Sequence, residues 1–507
     1  MIQPPRIAPG GGHPVRVVVV GGGVTGLAAA YRLVELGARR VIPVEVTVCE
    51  AGPRPGGTID TEQREGYLIE AGPDAFLTEK PWALDLCRRI GLDAHLVGTR
   101  PIHRRTFVVR AGRLHPLPDG FALLAPTRLG PLLRSRLFSW RGKARMALDL
   151  VLPARPADGD ESLGRFVTRR LGREALERAA QPMVAGIYTA DPDALSLAAT
   201  MPRFLAMERR HGSVIRGLRR ARDGHGAGGP RWSLFVAPAD GMAALVAALA
   251  SRLPPGALRL RRRVVSLERS PERAGDGAPA YRVALDDGST LRAGGVVLAC
   301  GAHEAARLVG NLDPDLAGLL RGIPYASSAV VTLAYRREEI AHPLDGFGFV
   351  VPKVEGRPII ACTFSSVKFL GRAPEGRVLL RVFLGGALDP GVLERDDAHL
   401  ARTAADELRM LLGATAPPHL VRVHRHTAAM PQYLVGHLDR VSAIEQRAAR
   451  LPGLALAGAA YRGVGIPDCI RSGEEAAERV LAACLGDRPA GEGAPAAAHA
   501  PPGRPHR

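Results

Sequence analysis

At 507 residues, 46% of them hydrophobic with 59 Gly and 42 Pro, the chain exceeds one ordinary core and predicts a turn-rich globular protein of roughly three domains, or two with large insertions. Its formal charge of +18 comes with only 5% aromatics and no finger, helix-turn-helix or RNA-binding signature, which sets nucleic-acid recognition aside. Six scattered cysteines without a C-x-x-C pair exclude a disulfide framework or zinc site, and no apolar run reaches the roughly 18 residues of a membrane span, so a cytoplasmic chain is expected, with membrane attachment only from the surface.

Residues 1–14 and 486–507 read as flexible ends. Between them, Val15–Val20 is a β-branched strand, Leu27–Leu36 has helical apolar spacing with Gly37 as its stop, and Val44–Cys49 forms the next strand. This βαβ unit encloses Gly21, Gly23 and Gly26, a G-x-G-x-x-G between strand and helix. Gly21 permits the tight turn, Gly23 lets backbone approach a pyrophosphate and Gly26 allows close helix packing, with the helix N-terminus donating to phosphates. Glu50 ends the second strand where a carboxylate can accept from ribose hydroxyls, and Arg54, Gly56 and Gly57 continue as E-x-x-x-R-x-G-G, which favours FAD over NAD. The Arg can meet a phosphate or brace the loop.

Glu70–Phe76 is a turn after a strand, and Phe121–Leu152 mixes apolar residues with Arg134, Arg136, Arg141, Lys143 and Arg145 as basic-edged amphipathic helices. The overall Arg excess is simplest as a base-composition bias; attraction to an anionic membrane and steering of a polyanionic substrate are the other two readings. Beyond the Gly-rich stretch Asp223–Gly229, strands are predicted at Trp232–Val236, Arg263–Leu267, Tyr281–Leu285 and Gly295–Ala299, and an antiparallel sheet over Ala329–Leu384. A strand at Leu454–Gly458 and a helix from about Gly473 to Leu485 close the ordered chain. His424 and His426 alternate on a predicted strand and read as satisfied or exposed residues, so no metal is expected.

The glycine turn with Glu50, Arg54, Gly56 and Gly57 resembles the amine-oxidase-like flavoprotein superfamily. Together with Glu70–Phe76, Gln181–Leu197 (QPMVAGIYTADPDALSL), Leu344–Gly348 (LDGFG), Arg377–Gly386 (RVLLRVFLGG) and Gly463–Gly473 (GVGIPDCIRSG), it closely resembles the oxygen-dependent protoporphyrinogen/coproporphyrinogen oxidases of heme synthesis, from about Val15 to Leu485. The resemblance implies an α/β fold, α+β overall: a Rossmann-like FAD-binding domain (15–80, 230–305 and 440–485), an antiparallel-sheet substrate domain (81–115 and 306–439) and a mostly helical, membrane-facing domain (116–229). Carried over by residue, FAD contacts fall on Gly21, Gly22, Gly23, Val24, Thr25, Gly26, Glu50, Ala51, Arg54, Gly57, Gly72, Pro73, Asp74, Ala75, Val264, Val464, Gly465 and Ile466, with Pro467 and Asp468 starting the closing helix. Leu344, Ile360 and Phe383 would line the macrocycle pocket, and the Gly186 backbone would approach the ring.

Plant-type relatives place an Arg before the Phe equivalent to Phe107 to hold a propionate; this chain has Thr106, with Arg105 and Arg104 one and two places earlier. The implied reaction removes hydrides from a porphyrinogen and returns the flavin to its oxidised form with dioxygen, releasing hydrogen peroxide. No Ser-His-Asp set, carboxylate dyad or H-E-x-x-H accompanies it. Implied partners are the porphyrinogen, dioxygen, an anionic membrane surface and a ferrochelatase. Alternatives are a related amine oxidase or carotenoid desaturase, or a non-catalytic porphyrin-holding flavoprotein. Whether the substrate carries two or four propionates stays open on the sequence.

Overall fold

The computed structural model describes residues 13–101, 105–155, 159–223, 234–270 and 280–486; both extreme ends, Arg104 and the glycine-rich stretch after Asp223 lie outside them. Five parallel strands form the first sheet, in the order Leu258–Leu260, Val44–Glu50, Val15–Val20, Gly295–Leu298, Leu454–Leu456. Both faces are covered, which is why these strands read as unbroken apolar runs. Along the central strand the side chains alternate. Val17 and Val19 join a core with Leu27, Leu33, Ile470 and Val480, whereas Val18 and Val20 join one with Val264, Val283, Leu308 and Leu316.

Two helices on the first face differ from their predicted bounds. The first runs Val24–Arg40, through Gly37, and ends where Val41 turns left-handed at φ 57° and its N–H reaches Gly37 O. Gly37 is not the stop; a Cβ there would lie 2.9 Å from Val44 Cγ2, so the bare position lets the helix sit against the next strand. The closing helix spans Ile466–Cys484, starting seven residues before the predicted Gly473, with Gly465 as N-cap and a proline in its first turn. Gly473 is internal because a Cβ would come 2.3 Å from Thr25 O, which makes it the point where the first and closing helices touch.

The second sheet has seven strands in the order Leu420–Pro431, Tyr325–Arg336, Arg377–Gly385, Ala361–Phe364, Gly348–Val350, Thr106–Arg110, Arg113–Pro116. It is mixed, not wholly antiparallel: Gly348–Val350 runs parallel to Thr106–Val108. One face is apolar, with Leu333, Phe349, Leu380, Val382 and Leu384 packed with Leu400 and Leu408 of the helix Asp397–Leu412. On the other face, register places Thr332 beside Arg381 and Val330 beside both Phe383 and His424. That face is partly polar and turns toward the first sheet and a third, helical core built from Leu132, Phe138, Phe166, Phe204 and Ile215.

Within the segment predicted as amphipathic helices, only Leu129–Arg134 and Trp140–Ala147 are α-helical. Phe121–Ala122 and Ala125–Pro126 pair as a short antiparallel ladder instead, because Pro118, Gly120 at φ 78° and Pro126 interrupt helical backbone. Core membership also moves two segments. The helix Pro81–Ile90 buries Leu84, Leu86 and Ile90 in the core of the first sheet, and Ala302–Val309 with Pro314–Arg321 lies in that sheet's other core, although both 81–115 and 306–439 were expected with the substrate domain. Among the described residues no helix is long and apolar enough to cross a membrane.

Candidate active site

The glycine turn leaves the C-terminal end of the central strand, where open α/β sheets bind ligands. Its three glycines answer three different constraints. Gly21 has φ 105° and a Cβ would meet Ala299 O at 2.6 Å; at Gly26 it would meet Gly21 O at 1.9 Å. At Gly23, the helix N-cap, a Cβ would meet nothing within 4 Å, so that glycine faces open space. Gly22 N and Gly52 N each donate to one oxygen of Glu50 at 2.6 Å, which ties the turn to the end of the second strand. A carboxylate oxygen accepts more than one hydrogen bond, so Glu50 keeps acceptor capacity for a diol.

A second loop runs alongside the first. Gly56 N donates to Gly22 O at 2.8 Å, and a Cβ on Gly57 would meet only Gly23 Cα, at 3.6 Å. Arg54 braces this loop, donating to Ile59 O at 2.9 Å and Gly57 O at 3.1 Å and pairing with Asp60 at 3.2 Å. Ala51 and Gly57 are exposed beside it, while Val24 and Thr25 are buried in the first turn of the helix. An uncrowded glycine pair, free helix-start amides and an acceptor at the strand end fit the adenosine and pyrophosphate of FAD.

Further along, Gly72 packs so closely on Thr58 O that a Cβ would lie 1.9 Å from it. Pro73 and Ala75 are half-buried, and Asp74 between them is held by Lys368 Nζ at 2.9 and 3.0 Å. Burial raises the Asp74 carboxyl, but Lys368 and Arg381 outweigh it and hold the group below the ordinary carboxylate range. Val264 is buried in the second core of the first sheet, its carbonyl accepting from Arg307 at 2.8 Å.

At the other end of the site, Gly463, Val464 and Gly465 lead into the closing helix, with Ile466 buried in its first turn. Gly463 sits at φ 141°, where a Cβ would also collide with Asp468 at 2.4 Å, and Asp468 accepts from Lys80 Nζ at 2.6 Å. Nothing in the sequence singled out Tyr433, yet its phenol accepts from Gly463 N at 2.8 Å and donates to Ala459 O at 2.5 Å. Its ring stacks on His437 at 4.0 Å, and His437 Nε2 bonds Tyr461 O at 2.9 Å. The only visible signal was a Tyr and a His four residues apart.

The substrate-side residues divide. Ile360, Phe383 and Val464 are partly buried at the edge of the helical core, together with Met183 and Tyr188. Gly186 is exposed on the helix Gln181–Tyr188, where a Cβ would approach only Val350 Cγ1, at 3.9 Å. Ile360, Phe383 and Val464 thus border the helical core, and Gly186 lies beside Val350 of the same core. Leu344 lies elsewhere: with φ 54° it is 2% exposed in the core on the opposite sheet face, with Phe107 and Phe349. Arg105 is exposed and pairs with Asp345 at 3.0 Å, and Arg104 lies outside the described residues. Burial first, then nearby Asp468, pushes the Tyr188 phenol up to about 12, so it is neutral at physiological pH. His426 Nε2 bonds Ala71 O at 2.9 Å, whereas His424 Nε2 is buried without a hydrogen-bond partner; burial lowers the pKa of both.

Comparison with known proteins agrees with this geometry. The family model described as flavin containing amine oxidoreductase matches residues 24–481. Coproporphyrinogen III oxidase of Propionibacterium freudenreichii subsp. freudenreichii is 36% identical, covering 93% of this chain and 92% of its own. The protein of the same name from Bacillus subtilis (strain 168) is 34% identical over 92% of this chain and 97% of its own. The crystal structure of a provisionally assigned protoporphyrinogen oxidase from Exiguobacterium sp. 255-15 superposes with a TM-score of 0.81 at 31% identity, covering 92% and 99% of the two chains. The chain belongs to the flavin containing amine oxidoreductases, within their protoporphyrinogen/coproporphyrinogen oxidase group, and its cofactor is FAD.

Proposed function

We propose that the protein oxidises a porphyrinogen to the corresponding porphyrin in heme synthesis, with coproporphyrinogen III and protoporphyrinogen IX as the two candidate substrates and dioxygen as final acceptor. The observation that carries the reading is that Ile360 and Phe383 of the second sheet and Val464 before the closing helix border one apolar core, whose Val350 is the neighbour of exposed Gly186. Bound FAD supplies hydride acceptance and reaction with dioxygen. The chain supplies placement: Ile360, Phe383 and Val464 offer partly buried apolar side chains to exclude water, and bare Gly186 leaves room for a macrocycle edge. Neutral Tyr188 adds a phenol without adding charge. An amine oxidase or carotenoid desaturase is not favoured by the relatives named above. FAD-loaded protein in air should generate fluorescent porphyrin and hydrogen peroxide from at least one of the two porphyrinogens. Fluorescence at the level of a protein-free control with both would sink the proposal.

We divide the fold by its cores into a FAD-binding unit, a substrate unit on the seven-stranded sheet and a helical unit, with Pro81–Ile90 and 302–321 counted in the first. The helical unit exposes Trp140 and Val151 (71% and 74%), along with Leu133 and Leu148, next to Arg134, Arg136 and Arg141. This combination supports peripheral contact with an anionic membrane at the inner face of the cell. Replacing Trp140 and Val151 together with Ser should abolish most co-sedimentation with phosphatidylserine-containing vesicles while leaving porphyrin formation in solution intact. Background co-sedimentation of the unaltered protein would remove the membrane assignment. A ferrochelatase, which consumes porphyrin, is the protein partner this reading implies.

A further inference from the structure

Arg381 lies on the sheet strand Arg377–Gly385, on the same face as Phe383, with its guanidinium 5.3 Å from the Phe383 ring centroid. It is 2% exposed, so it stands inside the fold behind partly buried Phe383. Its charge is spent on the loop after Glu70. One terminal nitrogen donates to Gly72 O and the other sits 3.7 Å from Asp74, while Nε is buried without a hydrogen-bond partner. Lys368, from a neighbouring segment of the substrate unit, holds both oxygens of Asp74, and His426 from the edge strand bonds Ala71 O at 2.9 Å.

On its opposite side the same loop rests on the cofactor loops. Gly72 allows no side chain against Thr58 O, Ala71 N donates to Asp60 O at 3.0 Å, and the 56–60 segment is bonded to the glycine turn through Gly56 N and Gly22 O. A continuous set of contacts therefore runs from the substrate sheet, through Asp74 and Gly72, to the turn beneath the FAD site. A buried guanidinium cannot exchange a lost carbonyl and carboxylate for water, so any shift of the loop leaves an uncompensated charge. That penalty fixes the loop relative to the sheet.

We propose that Arg381 is a positioning residue: by binding Gly72 O and Asp74 it locks loop 71–75 between the substrate sheet and the FAD-binding turn, and so sets the relative placement of flavin and porphyrinogen. The inference rests on the reading that this loop borders FAD and that Phe383 borders substrate. Arg381 touches neither. Lys368 and His426 fasten the same loop at Asp74 and Ala71, and Arg381 is the member that spans two residues of it.

Arg381→Gln should bind FAD about tenfold more weakly or worse, since it loses a charged hydrogen bond and an ion pair. At saturating FAD it should show a shifted flavin absorbance envelope and a kcat reduced about tenfold, with KM for the porphyrinogen within about twofold of the parent. Arg381→Lys should recover part of kcat but not the absorbance envelope, because an ammonium keeps the charge facing Asp74 and cannot span to Gly72 O as well. Parental FAD affinity, absorbance and kcat in Arg381→Gln would overturn the proposal, as would a lowered melting temperature with those three unchanged. Should that variant fail to fold, Arg381→Lys is read by the same three measurements, and parental FAD affinity, absorbance and kcat in it would overturn the proposal. Absence of turnover in the parent protein would count against the proposed function alone, because FAD affinity and absorbance report on the clamp without substrate.

Discussion

Gly23→Ala is expected to give a protein whose FAD-free form melts with the parent but which holds FAD at least about tenfold more weakly, a loss of about 1.4 kcal/mol. The backbone at Gly23 (φ −70°, ψ 177°) is open to any residue, and an added methyl meets no protein atom within 4 Å. The only thing it can displace is whatever approaches the turn from outside. Gly26→Ala is the contrasting experiment. There the methyl would sit 1.9 Å from Gly21 O, a backbone atom that cannot swing aside, so the helix start must move. Overpacking of this kind costs about 1–3 kcal/mol, and at a backbone contact the upper end is expected. Gly26→Ala should therefore lose both stability and FAD affinity. Thermal unfolding of the FAD-free proteins with a fluorescence titration of FAD separates the two; equal melting temperatures, or parental FAD affinity in Gly23→Ala, would contradict the assignment of roles.

The largest effect on stability is expected in the helical unit. Asp149 and Arg170 are both fully buried, 2.6 Å apart, and Asp149 also accepts from Ser213 Oγ at 2.6 Å and Ile215 N at 2.9 Å. Arg170 spends its remaining donors on Asp149 O, Leu152 O, Pro153 O and Gly212 O. The pair thus gathers three stretches of chain at one point in the core. Asp149→Ala would leave the buried guanidinium with only Glu208, 3.5 Å away and already held by Arg169, and leave two further donors unmade, at a cost of about 3–5 kcal/mol. The double replacement Asp149→Leu with Arg170→Met should recover much of that loss, because it removes the charge that has to be compensated. Denaturant titration followed by circular dichroism would register both outcomes. A single variant within about 1 kcal/mol of the parent would mean that the buried pair is not the fastening it looks to be.

The parts of this protein legible in its sequence are those whose physics is local. Gly21 and Gly26 constrain each other across five residues, and the turn, the two flanking strands and the carboxylate at Glu50 all lie within a stretch of 36 residues, so spacing alone identified a dinucleotide site. Gly37 and Gly473 were harder. Each was read as a helix boundary, yet each is a helix interior made bare by a distant neighbour, Val44 in one case and Thr25 in the other.

Which face of the second sheet closes on a core of its own came from long-range packing. Alternation along Arg377–Gly385 groups Leu380, Val382 and Leu384 against Arg381 and Phe383, but both sets contain large apolar side chains, so period two cannot say which is inside. The fold answers by packing Leu344 into the closed core and leaving Phe383 and Ile360 partly buried at the edge of the helical core. Arg381 was invisible for the same reason. Its partners, Gly72 and Asp74, are about 300 residues away in the chain, and a charge looks like a solvated surface residue until the topology folds its counter-ion over it.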